Sequence, residues 1–285
     1  MDDADQRIHQ PASLSARDFA KLSRFIYDTC GIKMPEVKKT MLEARLQKRL
    51  RALGMTSFTE YCELLFTPQG EEQELVQMLD MVTTNKTDFF REPDHFDYLV
   101  QRVLPEWLVR HEGQRLSIWS AGCSSGEEPY TLAMVLSEFA ESHAGFDFQI
   151  LATDISTRVL EKAQQAIYQE AQAEPIPLNL KRKYLLRSKD RASGMVRVVP
   201  ELRHKVRFRR LNFMDNDFGM RESLDIIFCR NVIIYFDRPT QERLLQRFHR
   251  HMKAGAYIFM GHSETLSGLN VPLLSVYPTV YRKQR

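Results

Sequence analysis

Paired cysteines are missing from this sequence. Its four cysteines, Cys30, Cys62, Cys123 and Cys229, share no short spacing. That excludes the usual zinc frameworks and a disulfide scaffold, and it fits reduced thiols. Long apolar runs are missing too, so no segment suits a bilayer-spanning helix. The start, Met1-Asp-Asp-Ala-Asp5, is acidic and carries no signal-peptide core. Net charge is slight: 40 Lys and Arg against 37 Asp and Glu leave +3, too little to argue for nucleic acid by bulk charge. Neither a phosphate loop ending in Lys-Ser/Thr nor a full G-x-G-x-x-G is present. The expectation is a cytoplasmic protein with no metal, no nucleic-acid partner and no membrane insertion.

At 285 residues with 43% hydrophobic content, the chain can hold one large or two ordinary domains. Residues 1–14 read as a disordered N-terminus and 15–84 as a helical domain. Within the latter, Leu42, Leu46, Leu50 and Leu53 form one apolar stripe, and Leu75, Met78, Leu79 and Val82 another. Residues 85–97 read as a linker that contributes to the site. From 98 to 285, strand and helix patterns alternate. Strands are predicted at Leu116–Ser120, Phe148–Ala152, Val206–Leu211, Leu224–Cys229 and Tyr257–Met260, and an antiparallel edge strand at Val276–Tyr281. Alternation of this kind implies an α/β fold with a doubly wound, largely parallel sheet. Residues 171–205 break the rhythm, and Gly194–Val199 alternates like a hairpin strand, which reads as a small β insertion.

The stretch Ser117-Ile-Trp-Ser-Ala-Gly-Cys-Ser-Ser-Gly-Glu-Glu-Pro-Tyr130 runs from an apolar strand through two glycines into a helix. Glycines let the backbone approach a ligand closely. The acidic pair at the loop mouth repels phosphate and suits a cation or amine. One of the pair faces a ligand, because neighbours on a helix diverge by about 100°. Sequence leaves the choice open, and Glu128 is favoured over Glu127. Ligands of doubly wound sheets bind at the carboxyl ends of strands, where Asp154, Asn212 and Asn231 fall. Asp154 can accept from ribose hydroxyls or simply cap the next helix. Arg91 stands where it can close over a cofactor edge or form a structural ion pair, and Tyr235 reads as chamber lining or core. Lys38, Arg45 and Arg49 share a stripe beside the leucines. That stripe is either a solvated face or a docking surface for an acidic partner.

Five motifs occur in order: Asn85-x-Thr87-x-x-Phe-Phe-Arg91, Ser124-x-Gly-Glu-Glu-Pro-Tyr130, Ala152-Thr-Asp154, Phe228-Cys-Arg-Asn-Val-x-Ile-Tyr-Phe236 and Gly261-His-Ser-Glu264. Together they resemble the bacterial chemotaxis receptor methyltransferases, the CheR family, over nearly the whole chain. The resemblance implies an enzyme that moves a methyl group from S-adenosylmethionine to glutamate carboxylates on the cytoplasmic helices of chemotaxis receptors, releasing S-adenosylhomocysteine. It implies cofactor contacts at Asn85, Thr87, Arg91, Glu128, Asp154, Asn212, Phe213, Asn231 and Val232, with Arg91 and Tyr235 nearest the transferring methyl. It gives the stripe of Lys38, Arg45 and Arg49 an acidic receptor helix to dock. Some members also dock a receptor C-terminal peptide on the β insertion. Here the turn Ser188–Ser193 lacks the extra glycines expected of those members. Rival readings are a nucleic-acid methyltransferase and a non-catalytic module that binds S-adenosylmethionine. Against the first, the chain has Asn231-Val-Ile-Ile-Tyr235 in place of an Asn-Pro-Pro-Tyr motif.

Overall fold

The computed structural model describes residues 12–220 and 222–284. The chain divides between Thr84 and Asn85 into two compact units. Most of the predicted disordered segment, residues 1–11 of 1–14, lies outside the described residues. Its last residue, Leu14, is fully buried and donates its amide to Glu43 Oε2 at 2.8 Å.

The N-terminal unit holds five helices: α1 (Ala16–Cys30), α2 (Lys39–Leu53), α3 (Phe58–Leu65), α4 (Pro68–Gln73) and α5 (Leu75–Val82). α1 starts where Ser15 Oγ accepts from the Asp18 amide at 3.0 Å and ends at Gly31, whose φ of 74° closes the helix. Phe19, Leu22, Ile26 and Cys30 are its buried face. α2 buries Leu42, Leu46 and Leu50 at four-residue spacing. Leu53, predicted on the same stripe, is exposed instead.

Two members of the basic stripe of α2 have partners within the unit. Arg49 forms a two-pronged pair with Glu74, at 2.8 and 2.6 Å, and Tyr61 OH adds a third donor to that carboxylate at 2.9 Å. Glu74 is buried, so Arg49 is its counter-charge rather than a free surface cation. Arg45 turns toward the end of α5, donating to the Val82 and Thr83 carbonyls and to Thr84 Oγ1, where a cation offsets the helix dipole. Lys38 is half-buried, whereas Lys48 and Arg51 are exposed.

The second unit opens with α6 (Asp94–Tyr98), joined through a π turn at Leu99–Val103 to α7 (Leu104–Arg110). Then come β1 (Arg115–Ala121), α8 (Glu127–Ser142), β2 (Asp147–Asp154), α9 (Thr157–Gln165), β3 (Ile167–Gln169), α10 (Leu178–Tyr184), β4 (Leu185–Arg187), β5 (Met195–Val198), α11 (Pro200–Arg203) and β6 (Val206–Arg210). The chain closes with β7 (Leu224–Cys229), α12 (Arg238–His251), β8 (Met252–Met260), β9 (Leu273–Tyr277) and β10 (Val280–Lys283).

Seven strands make one sheet in the order β6-β2-β1-β7-β8-β10-β9. The first five are parallel and the last two antiparallel. Every residue of β7, and every residue of β1 after Arg115, is buried, as continuous apolar runs in a covered parallel sheet require. The chain moves outward from β1 through β2 to β6, then returns to place β7 on the other side of β1. The topological switch point therefore lies between β1 and β7.

Two readings of the chain differ from this arrangement. The predicted edge strand at Val276–Tyr281 is a hairpin, folded at Pro278-Thr279 with Thr279 at φ 57°, so β10 pairs with β8 and β9 forms the edge. A proline lacks the amide a continuous strand would need there. The alternating segment near Gly194 is the middle strand of a separate three-stranded antiparallel sheet, β3-β5-β4, which begins as early as Ile167.

Because Arg49 neutralises a buried carboxylate, Arg49→Met is expected to cost about 3 kcal/mol of stability by stranding Glu74. Denaturant unfolding measures this, and a midpoint equal to wild type would show the pair to be idle.

Candidate active site

The carboxyl ends of β1, β2, β6 and β7 lie side by side, so their following loops share one rim. After β1 the chain turns at Gly122, Ser124 and Gly126, all with positive φ (87°, 49° and 97°). The Gly122 and Cys123 amides reach Thr153 O on β2 at 2.8 and 2.9 Å. A Cβ at Gly122 would lie 2.5 Å from Val232 Cγ2, so the absence of a side chain is what lets the loops after β1 and β7 touch. Asp154, at the end of β2, accepts from the Ser124 amide at 2.8 Å and the Ser156 amide at 3.0 Å. The carboxylate therefore steadies the start of α9 and also fixes the glycine loop.

Asn85 joins this rim through its carbonyl, which accepts from Ser124 Oγ at 2.8 Å. Thr87 follows, half-buried. Phe89 is buried edge-to-face on Tyr168 at 4.9 Å, while Phe90 takes φ 52° and lies against Phe96. The two phenylalanines thus anchor the segment, and Arg91 is half-buried with Nη1 donating to Lys86 O at 3.2 Å. Asn212 stands after β6, where Leu211 N donates to Asp154 O at 2.9 Å. Its side chain accepts from the Met214 amide at 3.0 Å. The Phe213 ring packs among Trp119, Phe218 and Phe248.

Of the acidic pair, Glu127 is buried and bound to Ser125 Oγ at 2.7 Å. Glu128 keeps 14% side-chain exposure, accepts from Ser120 Oγ at 2.7 Å and lies 3.6 Å from Arg230 Nη1. Burial pushes its carboxyl above the ordinary range, opposed by Arg230 and Ser120. The geometry favours Glu128 as the member that faces the rim.

Two carboxylates that the sequence reading gave no role hold the loop after β7. Glu264 Oε2 accepts from the Asn231 amide at 2.8 Å and the Gly261 amide at 2.7 Å. Its Oε1 accepts from the Val232 amide at 2.8 Å and the Ile234 amide at 3.3 Å. Buried to 3% exposure, it fixes Asn231 at φ 59° and the short helical turn Ile233–Tyr235. Tyr235 is half-buried on that turn. Glu92 accepts from Arg230 Nε at 3.2 Å, from the His262 amide at 3.1 Å and from Asn231 Nδ2 at 3.4 Å. Burial works against its charge, but Arg230 and the His262 amide hold its carboxyl below the usual range. A sequence signal for Arg230 existed: a charge directly after the apolar run Ile226–Cys229 must find a partner.

Glu92, His95 and His262 bring ligand atoms within 4.8 Å of one another. Both Glu92 oxygens already accept donors, and the Arg230 guanidinium shares Oε2. The cluster is thus joined to an ion-pair network in which the Arg230 guanidinium already stands beside Glu92. Lys38, Arg45 and Arg49 belong to the helical unit.

As a test of the donor set, the rim offers Asp154 and Glu128 but no lysine-tipped phosphate loop. Carboxylates suit a diol and an ammonium and repel a phosphate. The arrangement fits S-adenosylmethionine.

Comparisons with known proteins agree. The family model described as "CheR methyltransferase, SAM binding domain" matches residues 85–280, and that described as "CheR methyltransferase, all-alpha domain" matches residues 17–83. The chain is 41% identical to the chemotaxis protein methyltransferase of Borreliella burgdorferi, covering 95% of each. It is 40% identical to chemotaxis protein methyltransferase 2 of Pseudomonas aeruginosa, covering 96% of this chain and 95% of that one. Against the chemotaxis protein methyltransferase of Escherichia coli the identity is 38%, over 94% of this chain and 91% of that one.

His95 is fully buried beside Arg230, and burial together with that cation pushes its pKa down to about 4. The folded protein keeps it neutral while the unfolded chain takes a proton below its usual 6.5. Stability should therefore fall as pH drops from about 6.5 towards 4, by at most about 1.4 kcal/mol per pH unit from this group. Unfolding of wild type and His95→Asn across that window checks it. Equal slopes would contradict the assignment.

Proposed function

The chain belongs to the CheR methyltransferase family, and from that premise we propose that it methylates glutamate side chains of chemotaxis receptors. The observation that carries the reading is the carboxylate-lined rim at the β1/β7 switch point, with the Arg91 segment bound to it through Arg230. S-adenosylmethionine, when bound, supplies a methyl group on a sulfonium that leaves as a neutral thioether. Asp154 is the acceptor for the ribose hydroxyls, held in place by the Ser124 and Ser156 amides. Glu128 is the acceptor for the ammonium, and the Asn212-Phe213 and Asn231-Val232 backbones, with Asn85 and Thr87, enclose the base and the remaining polar edges.

A glutamate side chain, with an ordinary pKa of about 4.3, arrives already ionised at neutral pH. It is its own nucleophile, so no general base is needed. The protein's task is alignment and exclusion of water. Arg91 orients the incoming carboxylate, and its grip must stay loose enough to leave an oxygen lone pair for attack. Tyr235, on the turn fixed by Glu264, borders the same space.

Receptor docking on the helical unit falls to the cations that α2 leaves at its surface. Lys48 and Arg51 are exposed, Lys38 stands at the N-terminal end of the same helix, and an acidic helix is the complementary partner. The β insertion carries no glycine-rich turn for a receptor C-terminal peptide, and recognition is assigned to α2.

Tritiated S-adenosylmethionine incubated with a receptor cytoplasmic domain should yield base-labile carboxyl label. Stable label on nucleic acid, or no label, would overturn the reading. Arg91→Ala and Tyr235→Phe should each cut transfer at least about tenfold, roughly the loss of one oriented hydrogen bond. Asp154→Ala should instead mainly weaken binding of S-adenosylhomocysteine. Unchanged affinity in calorimetry would refute the ribose assignment.

A further inference from the structure

Arg230 is a buried cation on the rim, with 2% of its side chain accessible. It follows β7 directly, so it stands at the switch point between the two loops that shape the site. Its guanidinium contacts two separate segments, Arg91-Glu92 and the start of α8. Nε and Nη2 reach Glu92 Oε2 at 3.2 and 3.1 Å, Nη1 lies 3.6 Å from Glu128 Oε2, and Nη2 donates to the Arg91 carbonyl. The guanidinium carbon stands 5.4 Å over the Phe96 ring. This is the rigid fork of an arginine used on three sides at once, which a lysine cannot reproduce.

We infer that Arg230 is a positioning residue for methyl transfer: its guanidinium holds Glu128 as an anion at the rim and fixes the backbone that carries Arg91. The inference rests on the methyltransferase reading and names the group that sets the binding charge of its site. Other groups around Glu128 are too few or of the wrong sign to do this. Ser120 on β1 gives one neutral hydrogen bond. Glu92 repels Glu128, and Arg91 attracts it less than Arg230 does. Cys123 in the glycine loop and Cys229 at the end of β7 are buried thiols pushed well above their usual range, so they are uncharged. Without the Arg230 charge, burial would push the Glu128 carboxyl further up, and a carboxyl that is neutral more of the time attracts an ammonium less.

The consequence reaches both substrates. Because Arg230 also donates to the Arg91 carbonyl, one buried cation couples recognition of the donor's ammonium to placement of the residue that meets the acceptor carboxylate. An arginine serving structure alone would lower stability when replaced, but it would leave the pH dependence of ligand binding where it was.

That difference is the test. Affinity for S-adenosylhomocysteine is measured by calorimetry against pH for the full-length protein. Wild type should lose affinity on acidification along one limb, and Glu128→Gln should lack that limb. In Arg230→Met the limb should move up by about one to three pH units, the usual effect of an opposite charge on a neighbouring carboxylate. Binding near neutrality would then be weak and recover as pH rises. Arg230→Lys should leave the limb near its wild-type position, while transfer falls because the fork to Arg91 is lost. Should Arg230→Met unfold for want of a partner for Glu92, the double variant Arg230→Met/Glu92→Gln strands no second carboxylate, and its limb should lie above that of Glu92→Gln alone, since both lack the Glu92 repulsion. A limb at the wild-type pH in folded Arg230→Met, or at the Glu92→Gln pH in the double variant, overturns the inference and leaves the methyltransferase reading intact. A wild type with no affinity for S-adenosylhomocysteine removes both.

Discussion

Four backbone amides converge on the Glu264 carboxylate, and the shape of the rim depends on it. The loop after β7 leaves the sheet with amides that no strand pairs, those of Asn231, Val232 and Ile234 among them. An unmade bond there costs about 1–3 kcal/mol per group. One carboxylate carried on the loop after β8 meets all four. That binds neighbouring strand ends together, holds Asn231 in a left-handed conformation and sets the turn that ends in Tyr235. Burial pushes the Glu264 carboxyl up in pKa, and the amides oppose it. Gly261 is needed for the same reason, since a Cβ there would lie 2.6 Å from Asn231 Nδ2.

On this frame the site divides its labour by charge. Asp154 and Glu128 face a ligand that is cationic and rich in hydroxyls. Arg230 lies behind Glu128, out of solvent, where its charge acts on the carboxylates without repelling the ligand directly. Arg91 is drawn in from the segment before α6 by its carbonyl, which leaves its side chain for another partner. No acid–base pair is built into the rim, in keeping with a nucleophile that arrives ionised.

The parallel sheet was legible because β1, β2 and β7 are short stretches rich in apolar residues that end at or just before glycine, aspartate or asparagine, and those endings also marked the rim. The C-terminal hairpin was read as one strand because its two halves are both β-like and only Pro278-Thr279 separates them. The stripe on α2 was read as a surface because helical periodicity reports which residues share a face. It does not report that Glu74, 25 residues beyond Arg49, will bury its charge there. Glu264 stood in a motif whose physical use was invisible, for its partners lie about thirty residues earlier. Arg230 was passed over beside Asn231, although a charge abutting the apolar run Ile226–Cys229 had to be paired.

The central claim is that the carboxyl ends of β1, β2, β6 and β7 form the seat of S-adenosylmethionine. A crystal structure of the complex with S-adenosylhomocysteine tests it most directly. The account predicts ribose hydroxyls within hydrogen-bond distance of Asp154 and the amino group beside Glu128. A product molecule seated elsewhere on the sheet, or with its ribose turned away from Asp154, would contradict it.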